Sequence, residues 1–97
     1  MEKVRARIIV SGIVQGVFFR ASTTDTARAN NVCGWVKNNP NGTVEAVLEG
    51  DRRDVAAVIE WCRTGPPAAR VDCVRVEWEE FKGEFDEFNA LTRHNSY

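Results

Sequence analysis

The sequence VRARIIVSGIVQGVFFR, residues 4–20, joins a strand pattern to a loop that ends in an arginine. Apolar residues occupy every second position from Val4 to Val10, which is the period of a strand with one buried face. The alternation then stops, and Gly12 and Gly16 permit tight curvature of the backbone that follows. Because this loop is too apolar for a solvated turn, we expect it to be a structured part of the molecule.

Two helices are predicted further along the chain. We expect the first over residues 22–31, with Asp25 in its first turn and a cap from one of three consecutive hydroxyl residues, Ser22, Thr23 or Thr24. The second is expected to begin after Asp51 and to end at Gly65. Its apolar residues recur at helical spacing: Val55, Val58, Ile59 and Cys62.

The remaining segments predict strands. Residues 35–38 and 43–49 flank an Asn-Gly dipeptide, which is typical of a β-hairpin. A fourth strand is expected over residues 70–78, where a slip in the apolar phase indicates either a bulge or a strand buried on both faces. A short edge strand is expected around Phe85–Phe88. The order β-α-β-β-α-β predicts an α+β fold, a ferredoxin-like sandwich whose antiparallel sheet carries two helices on one face. Its first and third strands occupy the centre of the sheet.

The composition is that of a globular chain and not of a disordered or membrane-spanning one, with 43% hydrophobic and 28% charged residues in a length of 97. We expect a single domain over residues 1–97, with its core within residues 4–80 and a less regular C-terminal tail. The 13 Lys and Arg against 14 Asp and Glu give a net charge of −1. The totals lack a basic footprint, so we expect no nucleic-acid or membrane partner and a local site for any bound anion.

Cysteine usage favours a reducing compartment. Cys33, Cys62 and Cys73 are odd in number and lack C-x-x-C spacing, so we expect buried free thiols, with one disulfide and a spare thiol as the alternative. No metal site is expected, because the single histidine, His94, lies in a polar tail. The longest apolar run near the N-terminus, residues 8–10, is too short for a signal peptide, which favours a cytoplasmic location.

Arg20 is the leading candidate for a functional residue. A cation at the start of a helix opposes the helix dipole, and the simplest explanation is an arginine that reaches solvent or pairs with Asp25. The preceding glycine-containing loop favours another explanation, because consecutive amides at a helix N-terminus form an anion site. Arg20 beside such amides would clamp a phosphate or a carboxylate.

Asn38 is the second candidate, at the end of the second predicted strand. Asparagine is common where strands end, and this turn contains others. Asn39 precedes a proline and Asn41 precedes a glycine, so both have backbone reasons to be asparagine, whereas Asn38 has none as clear. The strand register decides whether Asn38 approaches the loop before Arg20, and the residue pattern leaves this open.

Other catalytic constellations are missing from the sequence. It contains no Ser-His-Asp or Cys-His pairing, no carboxylate pair beside the loop and no metal cluster, and the loop matches neither a Walker A motif nor a dinucleotide fingerprint. An enzyme of this kind can only position water and stabilise charge. That suffices for an activated phosphoryl group, whose transfer depends mainly on orientation and electrostatics.

Four motifs resemble those of the acylphosphatase family. GIVQGVFFR at 12–20 resembles the family's signature loop, usually G-x-V-Q-G-V-x-[FY]-R, and GWVKN at 34–38 is similar to G-W-V-x-N. NGTVE at 41–45 resembles D-G-x-V-E, and GPPAARV at 65–71 resembles G-P-x-x-A-x-V. The matches occur in order at the family's spacing, and the departures are few: Asn31 stands where glycine is common, and Asn41 where aspartate is usual.

The resemblance implies a ferredoxin-like fold and hydrolysis of a carboxyl-phosphate anhydride to a carboxylate and inorganic phosphate, without metal or cofactor. It implies that Arg20 binds the phosphoryl group and that Asn38 holds the attacking water. It further implies a cradle of backbone amides for the phosphoryl group, from Gln15, Gly16, Val17, Phe18, Phe19 and Arg20. We expect a monomer that acts on a small acyl phosphate.

Two alternatives remain at this point, because the ferredoxin-like topology serves many functions. An RNA-binding module would need exposed aromatic residues on its central strands, and residues 5–10 and 43–49 contain none. A non-catalytic module could use the same anion site for regulation, or for carbamoyl transfer within a larger assembly.

Overall fold

The computed structural model describes residues 2–92, which form a five-stranded sheet with two helices packed on one face. The elements, in chain order, are β1 (Lys3–Ile13), α1 (Phe19–Ala29), β2 (Cys33–Asn38), β3 (Val44–Asp51), α2 (Arg52–Cys62), β4 (Arg70–Glu79) and β5 (Phe88–Ala90). The strand order across the sheet is β4-β1-β3-β2-β5. The predicted α+β ferredoxin-like fold is therefore confirmed, with β1 and β3 in the centre.

The fifth strand differs from its prediction in position and direction. It begins at Phe88 and pairs with β2 in parallel, whereas the other neighbouring strands are antiparallel. Both Phe85 and Phe88 favoured a strand near 85–88, but only Phe88 enters the core, where it is fully buried. Phe85 instead lies against the Arg5 guanidinium, 5.5 Å from its ring centroid. A pattern of two aromatics does not tell which one anchors the strand.

The core lies between the sheet and the helices. On β1, the alternate residues from Val4 to Val10 are buried. The last three of them, at 6, 8 and 10, pair across the sheet with Leu48, Ala46 and Val44 of β3. Helix α2 contributes its predicted stripe of Val55, Val58, Ile59 and Cys62. The apolar residues at strand spacing on β1 and β3 and those at helical spacing on α2 thus pack together in one cluster.

Helix α1 begins at Phe19, three residues before the predicted start at residue 22. Its N-cap is Phe18, no side chain caps it, and Asp25 lies beyond its first turn. The prediction failed because the buried stripe begins at Phe19 and continues through threonines, which look polar in the sequence. The threonine hydroxyls donate to the carbonyl oxygens one turn earlier, which allows these residues inside the helix: Thr23 to Phe19, Thr24 to Arg20 and Thr26 to Ser22.

The start of α2 agrees with prediction, whereas its last helical residue is Cys62, before the predicted end at Gly65. Asp51 stands at the N-cap, but its carboxylate makes no capping bond and lies 2.9 Å from the Lys3 ammonium. At the other end, the Gly65 amide donates to the Trp61 carbonyl at 2.9 Å.

Of the two explanations for the phase slip in β4, the structure shows the bulge. Ser11 pairs with Cys73 and Gly12 with Val71, so Asp72 is the extra residue that shifts the apolar phase. The strands approach so closely here that a Cβ on Gly12 would lie 2.1 Å from the Arg70 carbonyl oxygen. Only glycine fits this position, where β1 turns into the loop.

The second face of the sheet carries a charged cluster instead of a binding platform. Arg5 and Glu49, on the central strands, are both nearly fully buried and pair at 3.2 Å. Arg5 also contacts Glu79 and Glu84, and the Glu49 carboxylate accepts from the backbone amides of residues 82–84. The segment after β4 therefore covers this face. The absence of aromatic residues from this face of β1 and β3 argues against the RNA-binding alternative.

All three cysteines are free thiols, but only Cys62 is fully buried. Burial raises the pKa of the Cys62 thiol to about 12. Cys73 is exposed, contrary to the expectation of buried thiols, because it belongs to the outward-facing phase of β4 near the bulge. Among residues 2–92, no helix is long and apolar enough to cross a membrane.

Candidate active site

The loop between β1 and α1 has an unusual backbone. Gly16 has a φ of 75° and Phe18 a φ of 66°, both in the left-handed region. Glycine adopts this conformation freely, whereas a bulky residue does so rarely. Left-handed residues alternating with others turn successive amides toward a common point, which is how anion-binding concavities form.

The amides of this loop are without partners in the described structure. Within residues 2–92, no hydrogen bond uses the backbone N–H of any residue from Gln15 to Ala21; the first helical bond runs from the Ser22 amide to the Phe18 carbonyl. The positive end of the α1 dipole lies at the same place. An anion is the natural acceptor for such a set of donors.

Arg20 is the second residue of α1 and is half-buried. Its Nη1 donates to the Leu91 carbonyl oxygen at 2.7 Å, which ties the side chain to the segment after β5. No carboxylate in residues 2–92 lies within salt-bridge distance of the Arg20 guanidinium, so the alternative pairing with Asp25 is not formed. The remaining guanidinium donors are available to a ligand.

Asn38 is the last residue of β2, opposite Val44 of β3. Its Oδ1 is buried and has no hydrogen-bond partner among the described residues. An unpartnered buried acceptor is costly in a folded protein and calls for a ligand or water. Strand β2 lies beside β3, and Asn38 at its end lines the same cleft as the loop before Arg20. The structure thus shows that Asn38 approaches the loop, which the residue pattern had left open.

Gln15 fastens the loop to the hairpin that follows Asn38. Its Nε2 donates to the carbonyl oxygens of Asn39 and Thr43, each at 2.8 Å. The hairpin itself is confirmed, but its turn spans residues 39–42 and not the Asn-Gly pair alone. The Gly42 N–H donates to the Asn39 carbonyl, and of Asn41 and Gly42 only Gly42 has a positive φ. Pro40 holds the first turn position, where its ring presets φ.

One cleft of about 290 Å³ lies where these elements meet. It is lined by Val14, Gly16, Phe18, Phe19, Arg20, Ala21 and Asn38. Of the predicted site residues, Gln15 and Val17 do not line it, because the Gln15 side chain is turned to the hairpin and Val17 packs against the core. Sequence reasoning missed Val14 and Ala21. The true start of α1 at Phe19 would have indicated Ala21, which shares the first turn with Arg20.

Among residues 2–92, the groups that line the cleft are apolar apart from one cation and one amide, with no carboxylate, imidazole or thiol. In the described part of the chain there is also no group of three or more His, Cys, Asp or Glu side chains close enough to hold a metal ion. The arrangement can bind an anion through Arg20 and the loop amides, and it can bind a water through Asn38.

Comparisons with known proteins agree with this geometry. The acylphosphatase family model matches residues 6–90. A Pyrobaculum arsenaticum protein named acylphosphatase is 58% identical over 92 residues, 94% of this chain and 97% of the relative. The crystal structure of acylphosphatase from Bacillus subtilis is 32% identical, with a TM-score of 0.88, and the match covers 91% of this chain and 98% of that one.

A third similarity is to part of a larger protein. The crystal structure of full-length HypF, in its phosphate- and nucleotide-bound form, is 29% identical with a TM-score of 0.85. The match covers 94% of this chain but 12% of HypF. Because the family model and the full-length relatives agree over nearly all its residues, this chain belongs to the acylphosphatase family of hydrolases.

Proposed function

We propose that this protein hydrolyses the carboxyl-phosphate bond of acyl phosphates and releases a carboxylate and inorganic phosphate. Arg20 and the backbone amides from Gln15 to Arg20 hold the phosphoryl group, and Asn38 holds the attacking water. The observation that carries the proposal is the meeting of three sets of polar groups at one cleft. They are the loop amides and the buried Asn38 Oδ1, which have no partners among residues 2–92, and the Arg20 guanidinium, which uses one nitrogen for the Leu91 carbonyl.

The reaction is a single in-line displacement. The water donates a hydrogen bond to Asn38 Oδ1, which orients an oxygen lone pair toward phosphorus. The new P–O bond forms as the bond from phosphorus to the carboxyl oxygen breaks, and the carboxylate leaves with the bonding electron pair. The proton lost by the water passes to solvent. Arg20 and the loop amides stabilise the charge on the equatorial phosphoryl oxygens, the main electrostatic task in phosphoryl transfer.

The leaving group explains how a cleft that is lined by no acid or base from residues 2–92 can suffice. A carboxylic acid has a pKa of about 4, so the departing carboxylate needs no proton at neutral pH. The phosphoryl transition state is loose, so the water needs orientation more than deprotonation. The proposal therefore requires no metal or cofactor. We further propose that residues 1–97 form a single domain and that the protein is a cytoplasmic monomer. It acts on small molecules and binds neither nucleic acid nor a membrane.

The test is hydrolysis of benzoyl phosphate with a chelator present, comparing wild type with Arg20→Ala. We expect metal-independent turnover and a loss of about 10³-fold in kcat/KM in the variant, because Arg20 supplies charged donors to the transition state. Arg53→Ala is the matched control, since Arg53 is exposed on α2 and away from the cleft. Turnover retained by folded Arg20→Ala would contradict the assignment.

The alternative is a phosphate-binding module without turnover, supported by the similarity to part of HypF. The same experiment separates the two functions. A folded wild-type protein that binds inorganic phosphate through Arg20 but does not hydrolyse benzoyl phosphate would be a binding module. Chelator-resistant turnover favours the enzyme.

A further inference from the structure

Phe18 combines two features that are unfavourable in the unbound protein. It is 77% exposed, the most exposed large apolar residue in the part of the chain described. Its backbone, with φ 66° and ψ 19°, lies in the left-handed region, where a bulky side chain is strained. Glycine would remove both features at once. The phenyl ring therefore contributes nothing evident to the unbound fold, and a contribution is expected when a ligand is present.

The position of Phe18 indicates which part of a ligand it would meet. It lines the same cleft as Arg20 and Asn38. Val14 and Phe19 also line the cleft but are only 1% and 2% exposed, so we assign them to its base and the 77% exposed Phe18 to its open side. At about 290 Å³, the cleft is at the lower limit of small-molecule pockets. A phosphoryl group held at the polar end leaves the attached acyl group extending toward this opening.

We propose that Phe18 contacts the acyl group and makes the site selective for acyl phosphates whose acyl group is aromatic or otherwise flat and apolar. This inference rests on the proposed function, since the acyl group points toward Phe18 only when Arg20 and the loop amides hold the phosphoryl group. Aromatic rings pair favourably beyond their buried area. The negative face of the phenyl ring disfavours acyl groups that carry a carboxylate.

The test compares benzoyl phosphate with acetyl phosphate as substrates of wild type and Phe18→Gly. Any effect of the substitution on the loop acts on both substrates and cancels in the ratio of their kcat/KM values. We expect Phe18→Gly to lower the benzoyl-to-acetyl ratio by about 3- to 10-fold, the range expected for one aromatic pair. Because glycine adopts a φ of 66° without strain, the variant is expected to fold, which thermal unfolding verifies.

Ile13→Ala serves as the matched control, because Ile13 is an exposed apolar residue beside the loop that does not line the cleft. The benzoyl-to-acetyl ratio of kcat/KM in Ile13→Ala should equal that of wild type. Inhibition supplies a second readout: Phe18→Gly should weaken the inhibition by phenylphosphonate more than the inhibition by inorganic phosphate. An unchanged ratio in Phe18→Gly, with both substrates turned over, overturns the role of Phe18 and leaves the enzyme intact. No turnover of either substrate by folded wild type overturns the proposed function, and this inference with it.

Discussion

Individual residues at the cleft are held by contacts that only a few side chains can make. One nitrogen of Arg20 is fixed to the Leu91 carbonyl, which limits the conformations of this long side chain and lowers the entropic cost of the phosphoryl contact that we propose. Asn38 offers a buried acceptor that has no partner within residues 2–92. The residue pattern made both residues candidates, but it left open whether Asn38 approaches the loop, and only the resemblance gave Asn38 the role of holding the water.

Asn38→Ala tests the positioning of the water. Because the water must be oriented mainly in the transition state, we expect kcat to fall by about 10²-fold with little change in KM. Steady-state kinetics on benzoyl phosphate measure both constants. Asn89→Ala is the control, since Asn89 is exposed on β5 outside the cleft. An effect on KM alone would make Asn38 a substrate-binding residue.

The structural elements around the site were predicted unevenly. The strands and α2 follow their apolar periods, because these periods are properties of neighbouring residues. The start of α1 was missed by three residues, since Phe19 is helical through its packing against Trp61, whose ring centroid lies 5.6 Å away, and this contact is distant in sequence. The threonines that follow Phe19 are poor helix formers in isolation and are buried only in this tertiary context.

The link from the loop to the β2–β3 hairpin can be broken at Gln15. Gln15→Glu replaces two donated hydrogen bonds with a carboxylate facing two carbonyl oxygens. We expect the free energy of unfolding to fall by about 2 kcal/mol, and kcat to fall because Asn38 precedes the released hairpin. Urea denaturation and kinetics measure the two effects.

Gln15→Met is the companion variant, because it keeps the length of the side chain without donors or charge. We expect about half the loss of stability seen with glutamate. Wild-type stability and kcat in Gln15→Glu would show that the hairpin is held without this residue.

The whole molecule is held from both faces of its sheet, and the charged face makes its stability depend on pH. Burial alone would raise the pKa of Glu49, but hydrogen bonds from the Lys82 amide, from Arg5 and from the neighbouring amides outweigh it and hold the pKa below its usual value. Hydrogen bonds from Arg5 and Arg7 likewise lower the pKa of Glu79. A lowered folded pKa stabilises the protein above the unfolded pKa, near 4.3, and this stabilisation is lost as pH falls through the folded value.

Glu49→Gln is expected to lower the free energy of unfolding at pH 7 by about 3 kcal/mol, because it leaves Arg5 buried with one counter-charge fewer. The difference in the free energy of unfolding between Glu49→Gln and wild type should shrink as pH falls below about 4, because wild-type Glu49 then loses its charge. Urea denaturation between pH 7 and pH 3 measures this. Exposed Glu60→Gln is the control and should follow wild type at every pH. A constant difference across this range would contradict the role of the Glu49 charge.

The sequence by itself determined the order of the elements, the hairpin, the position of the phase slip in β4 and the residue types of the proposed anion site. These follow from local periods, turn chemistry and motif spacing, which act between near neighbours. Only the tertiary structure decided where α1 begins, which phenylalanine anchors β5 and how Asn38 reaches the loop. The same holds for the contact that joins Arg20 to Leu91, 71 residues later. Such outcomes depend on packing between distant segments, whose energies no single stretch of sequence carries.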